Sequence, residues 1–571
     1  MTAAGTGTES ARGRSHPSPS TSGAAPPAGR FPHPLGWSRW AAVPFALVYL
    51  ILLAHHLESI ARSANLDADI ASGPVISELF GAAPAHANVV LGEFAWYATL
   101  LFDLATKWLP AHRQVWEYAP YAMALAAAGL AAWGVSQVAD RWAAALTAVL
   151  LICASPATLH LELSTTQHAP VWFCLALVGA FVVLLERRGS ALSWPVLIAL
   201  ILAVGTVTGV NAASDPLVSV AVLAPFVLAL VVARVLEPGQ LTTRAFWSGL
   251  ATLAVTGLTW GITAVVMSAL AVTREPGLHT TRVTVGHKTA ANFKLWWKSI
   301  AVLGNGDYFG RPLSPGSALA FVCAVLSIAA VVSLPWLCWR QLRRRGRAAR
   351  SPVAGEDPAG STRVAFYVFW CASAVLLTLA FLFSSAPADI GADRYLVGLL
   401  YPAAAAIPAA VAGARPRLAA PVLAGVCIFA LGGVVSMAQG GTSLPMRSNP
   451  PVTTGVANRI AAIAAREHLT VGYAGYWAAA PVTWATGFRV QVYPVAVCDQ
   501  QKHLCRFDLH FISSWYSPRA GTGSFLLVDP NTADVWTRTP DLGRPRAVYR
   551  IGRVTMYVYS YDLASRIRTV A

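Results

Sequence analysis

The sequence predicts a mainly α-helical, polytopic membrane protein with about 11 transmembrane helices, followed by a C-terminal α/β unit. Hydrophobic residues make up 56% of the 571 residues, and charged residues only 12%. Apolar runs long enough to cross a bilayer as helices recur between Trp37 and Met437. After Gly440 the apolar runs give way to short strand-like segments. We therefore expect a disordered cytoplasmic tail at residues 1–36, a transmembrane domain at 37–439 and an extracytoplasmic α/β domain at 440–571.

The chain carries a net charge of +16, which taken alone would suit a nucleic-acid partner. Its lysines and arginines, however, concentrate in short clusters between apolar runs, where the positive-inside rule places them. We therefore interpret the charge as a topology signal. We expect the protein to lie in a lipid bilayer and to bind no nucleic acid.

The predicted membrane spans follow the apolar runs. In chain order they are Trp37–Leu57, Tyr118–Val138, Trp142–Ala157, Ala169–Leu185, Trp194–Val210, Leu217–Ala233, Phe246–Val272, Ala318–Trp339, Val364–Phe383, Tyr395–Val411 and Leu418–Met437.

The orientation of the bundle follows from the loops between these spans. The tail before Trp37 is rich in Ser, Pro and Gly and lacks the pattern of a cleaved signal peptide, so the first span should stay as an anchor. With the N-terminus inside, every inner connection is basic, and the acids collect in the outer ones. An odd number of spans then places the C-terminal domain on the outer side of the membrane. We therefore expect a multi-pass protein of the plasma membrane.

The C-terminal region reads as a small sheet with covering helices. A helix is predicted at Val456–His468, because the segment is rich in Ala and Ile. The predicted strands are rich in β-branched and aromatic residues and are Thr470–Tyr476, Arg489–Val497, Phe525–Asp529, Ala547–Ile551 and Val554–Tyr561.

Two of the eight cysteines, Cys498 and Cys505, flank a polar hexapeptide in this region, whereas the other six lie in apolar runs. A disulfide between them requires an oxidising compartment, which agrees with an extracytoplasmic domain. The alternative is a zinc site with His503 as a third ligand.

Two outer segments have the character of membrane-surface elements. Ile70–Leu79 and Val89–Leu109 show apolar residues at helical spacing and predict helices lying on the outer surface. In the Thr273–Ser317 loop, Trp296 and Trp297 are predicted interface anchors, and the Gly-rich stretch that follows is predicted to be flexible.

Asp67 and Asp69 are the first candidates for chemistry, because they lie just beyond the first span in a chain with few charges. Two positions apart on a loop or strand, they can present two carboxylates to one ligand or to a divalent metal ion. A single desolvated carboxylate could instead act as a general base. The plain alternative is a pair of solvated loop acids.

Three further ionisable residues in predicted outer turns are candidates for substrate binding. His168 belongs to a polar cluster between the third and fourth spans, for which the alternative is a hydrated turn. Asp215 precedes Pro216 and equally suits a helix N-cap. Arg394 lies at the outer edge of the tenth span, where its planar fork suits a phosphate; the alternative is an ion pair with Asp393 or Asp389.

Asp393, Lys298 and Asp307 complete the candidate substrate-binding set. Lys298 is one of several cations that make the Thr273–Ser317 loop basic against the positive-inside trend. A cationic outer loop beside the bilayer suits a phosphorylated lipid head group. Asp307 lies in the Gly-rich stretch of the same loop.

Together these features resemble the GT-C glycosyltransferases, which take a sugar from a polyprenyl-phosphate donor at the outer face of the membrane. The resemblance lies in Asp67-Ala68-Asp69 in the first outer loop, the surface helices after it, Asp393-Arg394-Tyr395 before a late span, and the C-terminal domain. The layout is similar to that of actinobacterial cell-envelope mannosyl- and arabinosyltransferases.

The resemblance implies that Asp67 or Asp69 activates the acceptor hydroxyl or binds a divalent cation, and that Arg394 with the basic loop holds the lipid phosphate. A glycan, a lipid or a protein would be the acceptor. The sequence has no Walker loop, no dinucleotide fingerprint, no His-Glu-x-x-His and no nucleophile elbow.

Two other classes of function remain open at this stage. A lipid-linked sugar flippase or transporter would place ionisable residues inside its spans, which here are nearly free of charge. A non-catalytic scaffold of envelope assembly would bind through the exterior domain, where Tyr473, Tyr476 and Trp515 either stack on sugars or belong to the core.

Overall fold

The computed structural model describes residues 40–64, 66–81, 87–92, 97–110, 112–162, 168–189, 191–236, 242–274, 282–348, 364–412, 416–440, 452–498, 503–530 and 542–568. The predicted disordered tail, residues 1–36, lies outside these ranges.

The described part of the chain is mainly helical. Its helices are α1 (Val43–Ala64), α2 (Ala68–Phe80), α3 (Tyr97–Thr106), α4 (His112–Val138), α5 (Arg141–Ile152), α6 (Pro156–Glu162), α7 (Ala169–Arg188), α8 (Trp194–Ser214), α9 (Ala224–Leu236), α10 (Thr243–Ala269), α11 (His287–Leu303), α12 (Pro315–Ala348), α13 (Val364–Leu382), α14 (Leu400–Ala412), α15 (Pro416–Gly440), α16 (Thr454–Arg466) and α17 (Tyr476–Ala485). A π-helical turn, Ser219–Leu223, leads into α9, and the 3-10 turns Ile390–Tyr395 and Val397–Leu399 lead into α14.

Nine helices within the described ranges are long and apolar enough to cross a membrane. They correspond to nine of the eleven predicted spans and are α1, α4, α7, α8, α9 with its π-helical turn, α10, α12, α13 and α15. The prediction of a polytopic helical bundle is therefore confirmed.

The third predicted span, Trp142–Ala157, is wrong as a single helix. Helix α5 ends at Ile152, and α6 leaves it at an angle of 90°. The break has a local cause: Pro156 has no N–H to continue the helix and disfavours helical backbone at the residue before it. Ser155 then caps the new helix, since its hydroxyl accepts a hydrogen bond from the Thr158 amide at 3.1 Å.

The tenth predicted span, Tyr395–Val411, is also shorter than expected. Its first residues form the two 3-10 turns, and only Leu400–Ala412 is α-helical. Thirteen residues of α-helix rise about 20 Å, less than the ~30 Å hydrocarbon core. The turns hold Asp393 and Arg394 in 3-10 geometry rather than in a continuous span.

The segments predicted to lie outside the membrane depart from the prediction in two places. Val89–Leu91 is a strand, β1, and not the start of a helix; it pairs in parallel with β2 (Val272–Arg274) and antiparallel with β6 (Phe511–Ile512). The Thr273–Ser317 loop contains α11, and Trp296 on that helix is buried in the main core instead of anchoring at an interface.

Five of the six strands of the C-terminal sheet fall where they were predicted, although Tyr476, expected at the end of the first strand, begins α17 instead. These five are β3 (Val471–Ala474), β4 (Gln491–Val497), β7 (Ser524–Val528), β8 (Ala547–Ile551) and β9 (Val554–Tyr559). The sixth strand, β5 (Leu504–Arg506), lies in a segment for which no strand was predicted. The six strands form a mixed sheet in the order β5-β4-β3-β7-β9-β8, with β3 parallel to both neighbours. Helix α17 packs on α2, so the C-terminal region lies directly against the segment that follows α1.

Candidate functional site

The two acids that follow α1, Asp67 and Asp69, have different surroundings. Asp67 is the N-cap of α2, and its carboxylate accepts a hydrogen bond from the Asp69 amide at 2.8 Å. Asp69 lies in the first turn of α2, so its carboxylate is not used in this cap. The structure therefore gives Asp67 the local role expected of a helix cap and leaves Asp69 to contact other parts of the chain.

Asp69 contacts two residues that are distant in sequence. The Tyr476 hydroxyl donates a hydrogen bond to Asp69 Oδ1 at 2.7 Å. Arg394 Nη1 lies 3.8 Å from Asp69 Oδ2, and the two side chains are 24% and 20% exposed, respectively. This acid and this guanidinium thus form a partly exposed ion pair.

Arg394 is placed by the 3-10 turn Ile390–Tyr395. The Asp389 carboxylate caps this turn by accepting a hydrogen bond from the Gly391 amide at 2.9 Å. The Arg394 guanidinium lies 5.2 Å from the centre of the Tyr395 ring, and its Nη2 donates to the Tyr395 hydroxyl at 3.4 Å. A ring contact of this kind limits the orientations of the guanidinium fork.

The neighbouring carboxyl group, Asp393, has an unusual proton affinity. Burial raises the pKa of Asp393 to about 7, and the nearby Arg394 opposes this shift only in part. Near neutral pH this carboxyl is therefore partly protonated.

His168 and Asp215 form a buried pair beside the same turn. His168 Nδ1 is hydrogen-bonded to Asp215 Oδ2, and the two residues are only 3% and 7% exposed. The His168 ring lies 5.1 Å from that of Tyr395. Asp215 also accepts from the Leu217 amide at 2.9 Å, so it serves as both a cap and a partner for His168. His168 has φ of 66°, a backbone conformation that non-glycine residues adopt mainly where the surroundings impose it.

Four of the predicted site residues therefore lie in one line of contacts: Asp69 to Arg394, Arg394 to Tyr395, Tyr395 to His168, and His168 to Asp215. We call these five residues the acid–arginine cluster.

Lys298 and Asp307 make their described contacts elsewhere, at the loop after α11. Lys298 Nζ lies 5.6 Å from the centre of the Phe309 ring, and Asp307 pairs with Arg311 at 2.7 Å. Asp307 and Arg311 line a cavity of about 300 Å³ between α12 and α15. The structure also joins Cys498 and Cys505 by a disulfide in the C-terminal region.

A divalent cation would need ligands beyond protein side chains here. Within the described ranges, no three His, Cys, Asp or Glu residues lie close enough to form a metal-binding group. An ion held by Asp67 and Asp69 would thus complete its shell with water or substrate oxygens, as Mg²⁺ commonly does.

The hydrogen bond from Tyr476 to Asp69 could not be predicted from the sequence. The sequence offered Tyr476 and its neighbours as sugar-stacking or core residues, and the structure buries Tyr473, Tyr476 and Trp515. Nothing in the local pattern relates Tyr476 to an acid 407 positions away.

Comparison with known proteins places the fold. No protein-family model matches the sequence, and no curated protein matches it either. Among solved structures, the crystal structure of ArnT from Cupriavidus metallidurans in the apo state matches over 92% of this chain and 99% of that chain, with 14% identity and a TM-score of 0.53. ArnT bound to undecaprenyl phosphate matches over 92% and 98%, with 16% identity and a TM-score of 0.41. The chain is therefore a multi-pass membrane protein with the fold of ArnT, which confirms the GT-C fold predicted from the sequence.

Proposed function

We propose that this protein is a glycosyltransferase that moves a sugar from a polyprenyl-phosphate donor to a glycan, lipid or protein acceptor at the outer face of the membrane. The observation that supports this most directly is the Asp69–Arg394 pair, which sets a carboxylate beside a guanidinium in a partly exposed position. Glycosyl transfer from a lipid phosphate needs those two groups: a base for the acceptor and a cation for the leaving group.

In the proposed reaction, Asp69 takes the proton of an acceptor hydroxyl. As the proton leaves, the hydroxyl oxygen attacks the anomeric carbon of the donor sugar. The bond between that carbon and the phosphate oxygen breaks, and the polyprenyl phosphate leaves with the electron pair. Arg394 stabilises the negative charge of the departing phosphate, because its fork can donate two hydrogen bonds to phosphate oxygens. Attack on the side opposite the leaving group makes the transfer inverting.

The remaining candidates take supporting roles in this scheme. His168 and Asp215 hold the Tyr395 side of the cluster, and Asp393 lies beside the arginine. Lys298 on α11 and Asp307 in the loop after it would contact a more distant part of the donor or the acceptor. If a divalent cation takes part, Asp67 and Asp69 would hold it, and it would supply further charge for the phosphate.

Transfer from a radiolabelled polyprenyl-phosphate sugar pool, measured in membranes containing each variant, tests the assignment. We expect Asp69→Asn to lower transfer by about a hundredfold or more, since it removes the base. Arg394→Ala should also lower transfer strongly. Arg394→Lys should recover only part of the activity, since it keeps the charge but loses the planar fork.

Asp67→Asn separates the two roles considered for this residue. Asn caps a helix about as well as Asp, so the variant keeps the start of α2. Transfer within a few-fold of the wild type would make Asp67 a helix cap alone, and a loss as large as that of Asp69→Asn would make both carboxylates ligands of a cation. Transfer that survives both Asp69→Asn and Arg394→Ala would overturn the site. Flipping of the donor without transfer would favour a carrier, and glycan binding without either activity would favour a scaffold.

A further inference from the structure

We propose that Tyr476, in the C-terminal region, is a positioning residue that fixes the carboxylate of Asp69, so that the catalytic site is incomplete without that region. This inference rests on the proposed role of Asp69 as the base. Its observation is separate: a hydrogen bond of 2.7 Å from the Tyr476 hydroxyl to Asp69 Oδ1, across 407 positions of sequence.

The phenol ring of Tyr476 is held on a stack of aromatic rings. The ring of Phe507 lies 4.9 Å away at an interplanar angle of 19°, and the ring of His510 lies 5.8 Å away at 26°. Tyr476 and His510 are each 7% exposed. Near-parallel rings packed in the interior leave the Tyr476 hydroxyl few alternative positions.

The stack is itself held against β1 and the residue that follows it, Gly92. Gly92 follows β1, and a Cβ atom at this position would lie 2.4 Å from both Cε1 and Nε2 of His510. The absence of a side chain at Gly92 therefore lets the backbone of this segment reach the His510 ring. The pairing of β1 with β6 joins the same two parts of the chain, and α17 packs on α2, which carries Asp69.

At neutral pH the Tyr476 hydroxyl is the donor of this hydrogen bond and the Asp69 carboxylate is the acceptor. Burial, and then the negative charge of Asp69, raise the pKa of Tyr476 well above its ordinary value, so the hydroxyl stays protonated and donates. Tyr476 binds Oδ1, whereas Arg394 faces Oδ2. The two contacts therefore bind different oxygens of one carboxylate, and together they fix its orientation.

Tyr476→Phe tests the proposal, because it keeps the ring in the stack and removes only the hydroxyl. We expect kcat for sugar transfer to fall about tenfold to a hundredfold, with the KM for the donor within about twofold of the wild type, since the lost bond orients the base rather than binding the donor.

Tyr473→Phe is the matched control, as it removes a buried hydroxyl in the same region that donates to Asp562 at 2.9 Å. This control should keep the wild-type kcat. An equal loss of kcat in both variants would show a general structural effect and would overturn the proposal.

A second measurement does not depend on transfer activity. Labelling of Asp69 by a water-soluble carbodiimide, read by mass spectrometry on the purified full chain, should be several-fold faster in Tyr476→Phe than in the wild type and in Tyr473→Phe. Equal labelling in all three proteins would overturn the proposal. Faster labelling in a protein whose wild type transfers no sugar would uphold the Tyr476–Asp69 link and reject the proposed function instead.

Discussion

The carboxyl group of Asp393 is buried and has Arg394 as a neighbour. Burial has a larger effect on its pKa than the positive charge of Arg394, and the pKa is raised to about 7. An unfolded Asp releases its proton near pH 4, so between these two values the folded protein binds more protons than the unfolded chain. The free energy of unfolding therefore decreases as the pH rises from about 4 to about 7 and stays lower above that range.

We predict that Asp393→Asn removes this dependence, because an amide does not titrate. The melting temperature of the purified variant should exceed that of the wild type at pH 8, where the wild-type carboxylate is ionised, and should be close to it at pH 5. A wild type and a variant whose melting temperatures differ equally at both pH values would contradict the assigned pKa.

At the level of single residues, the sequence predicted much of the acid–arginine cluster but not its division of labour. Asp69, Arg394, His168 and Asp215 stood out because charged or polar residues are rare in this chain. Spacing could not tell Asp67 from Asp69, because that distinction depends on where α2 begins. With Asp67 as the N-cap, Asp69 lies in the first turn of α2, and its carboxylate contacts Arg394 and Tyr476.

The packing of α7 against α13 depends on a close approach at Gly179. A Cβ atom there would lie 2.5 Å from Cζ2 of the buried Trp370. Gly134 lies on α4 and faces α7. A Cβ atom at Gly134 would lie 3.8 Å from its nearest neighbour, Ala180 Cα, which is an ordinary contact.

We predict opposite effects for alanine at these two glycines. Gly179→Ala should destabilise the protein by about 1–3 kcal/mol, because Trp370 has to shift in a packed core. Gly134→Ala should be neutral or stabilising by up to about 1 kcal/mol, because alanine favours the helix and has room. Thermal unfolding of the detergent-solubilised variants checks both; a stable Gly179→Ala protein would contradict the described packing.

At the level of elements, hydropathy located nine spans because each is a long, uninterrupted apolar helix. It did not locate the break after Ile152, since an apolar run looks the same whether the helix continues or bends. The local signal was Ser155-Pro156, a cap residue followed by proline. Strand β1 left no such signal, because three residues gain their strand geometry only from partners near positions 272 and 511.

Across the whole molecule, connections predicted to be inner contact one another, and so do those predicted to be outer. Arg187 donates to Gln137 at 3.0 Å, and Arg244 donates to the Leu192 carbonyl at 2.6 Å, so three basic connections meet. The acid–arginine cluster joins the connections that hold Asp69, His168, Asp215 and Arg394. One end of the bundle is therefore basic, and the other end carries the site. From this asymmetry the positive-inside rule predicts that the site end lies outside.

This orientation makes a prediction for labelling in intact cells with a membrane-impermeant maleimide. Thr522→Cys adds a thiol at an exposed position of the C-terminal region, and Ala191→Cys adds one at an exposed position of the α7–α8 connection, at the basic end. Thr522→Cys should react without permeabilisation, and Ala191→Cys only after it, each above the background of the wild-type cysteines. The reverse pattern would put the acid–arginine cluster in the cytosol. An acceptor at the outer face could then not reach Asp69, and the proposed transfer would have to be abandoned.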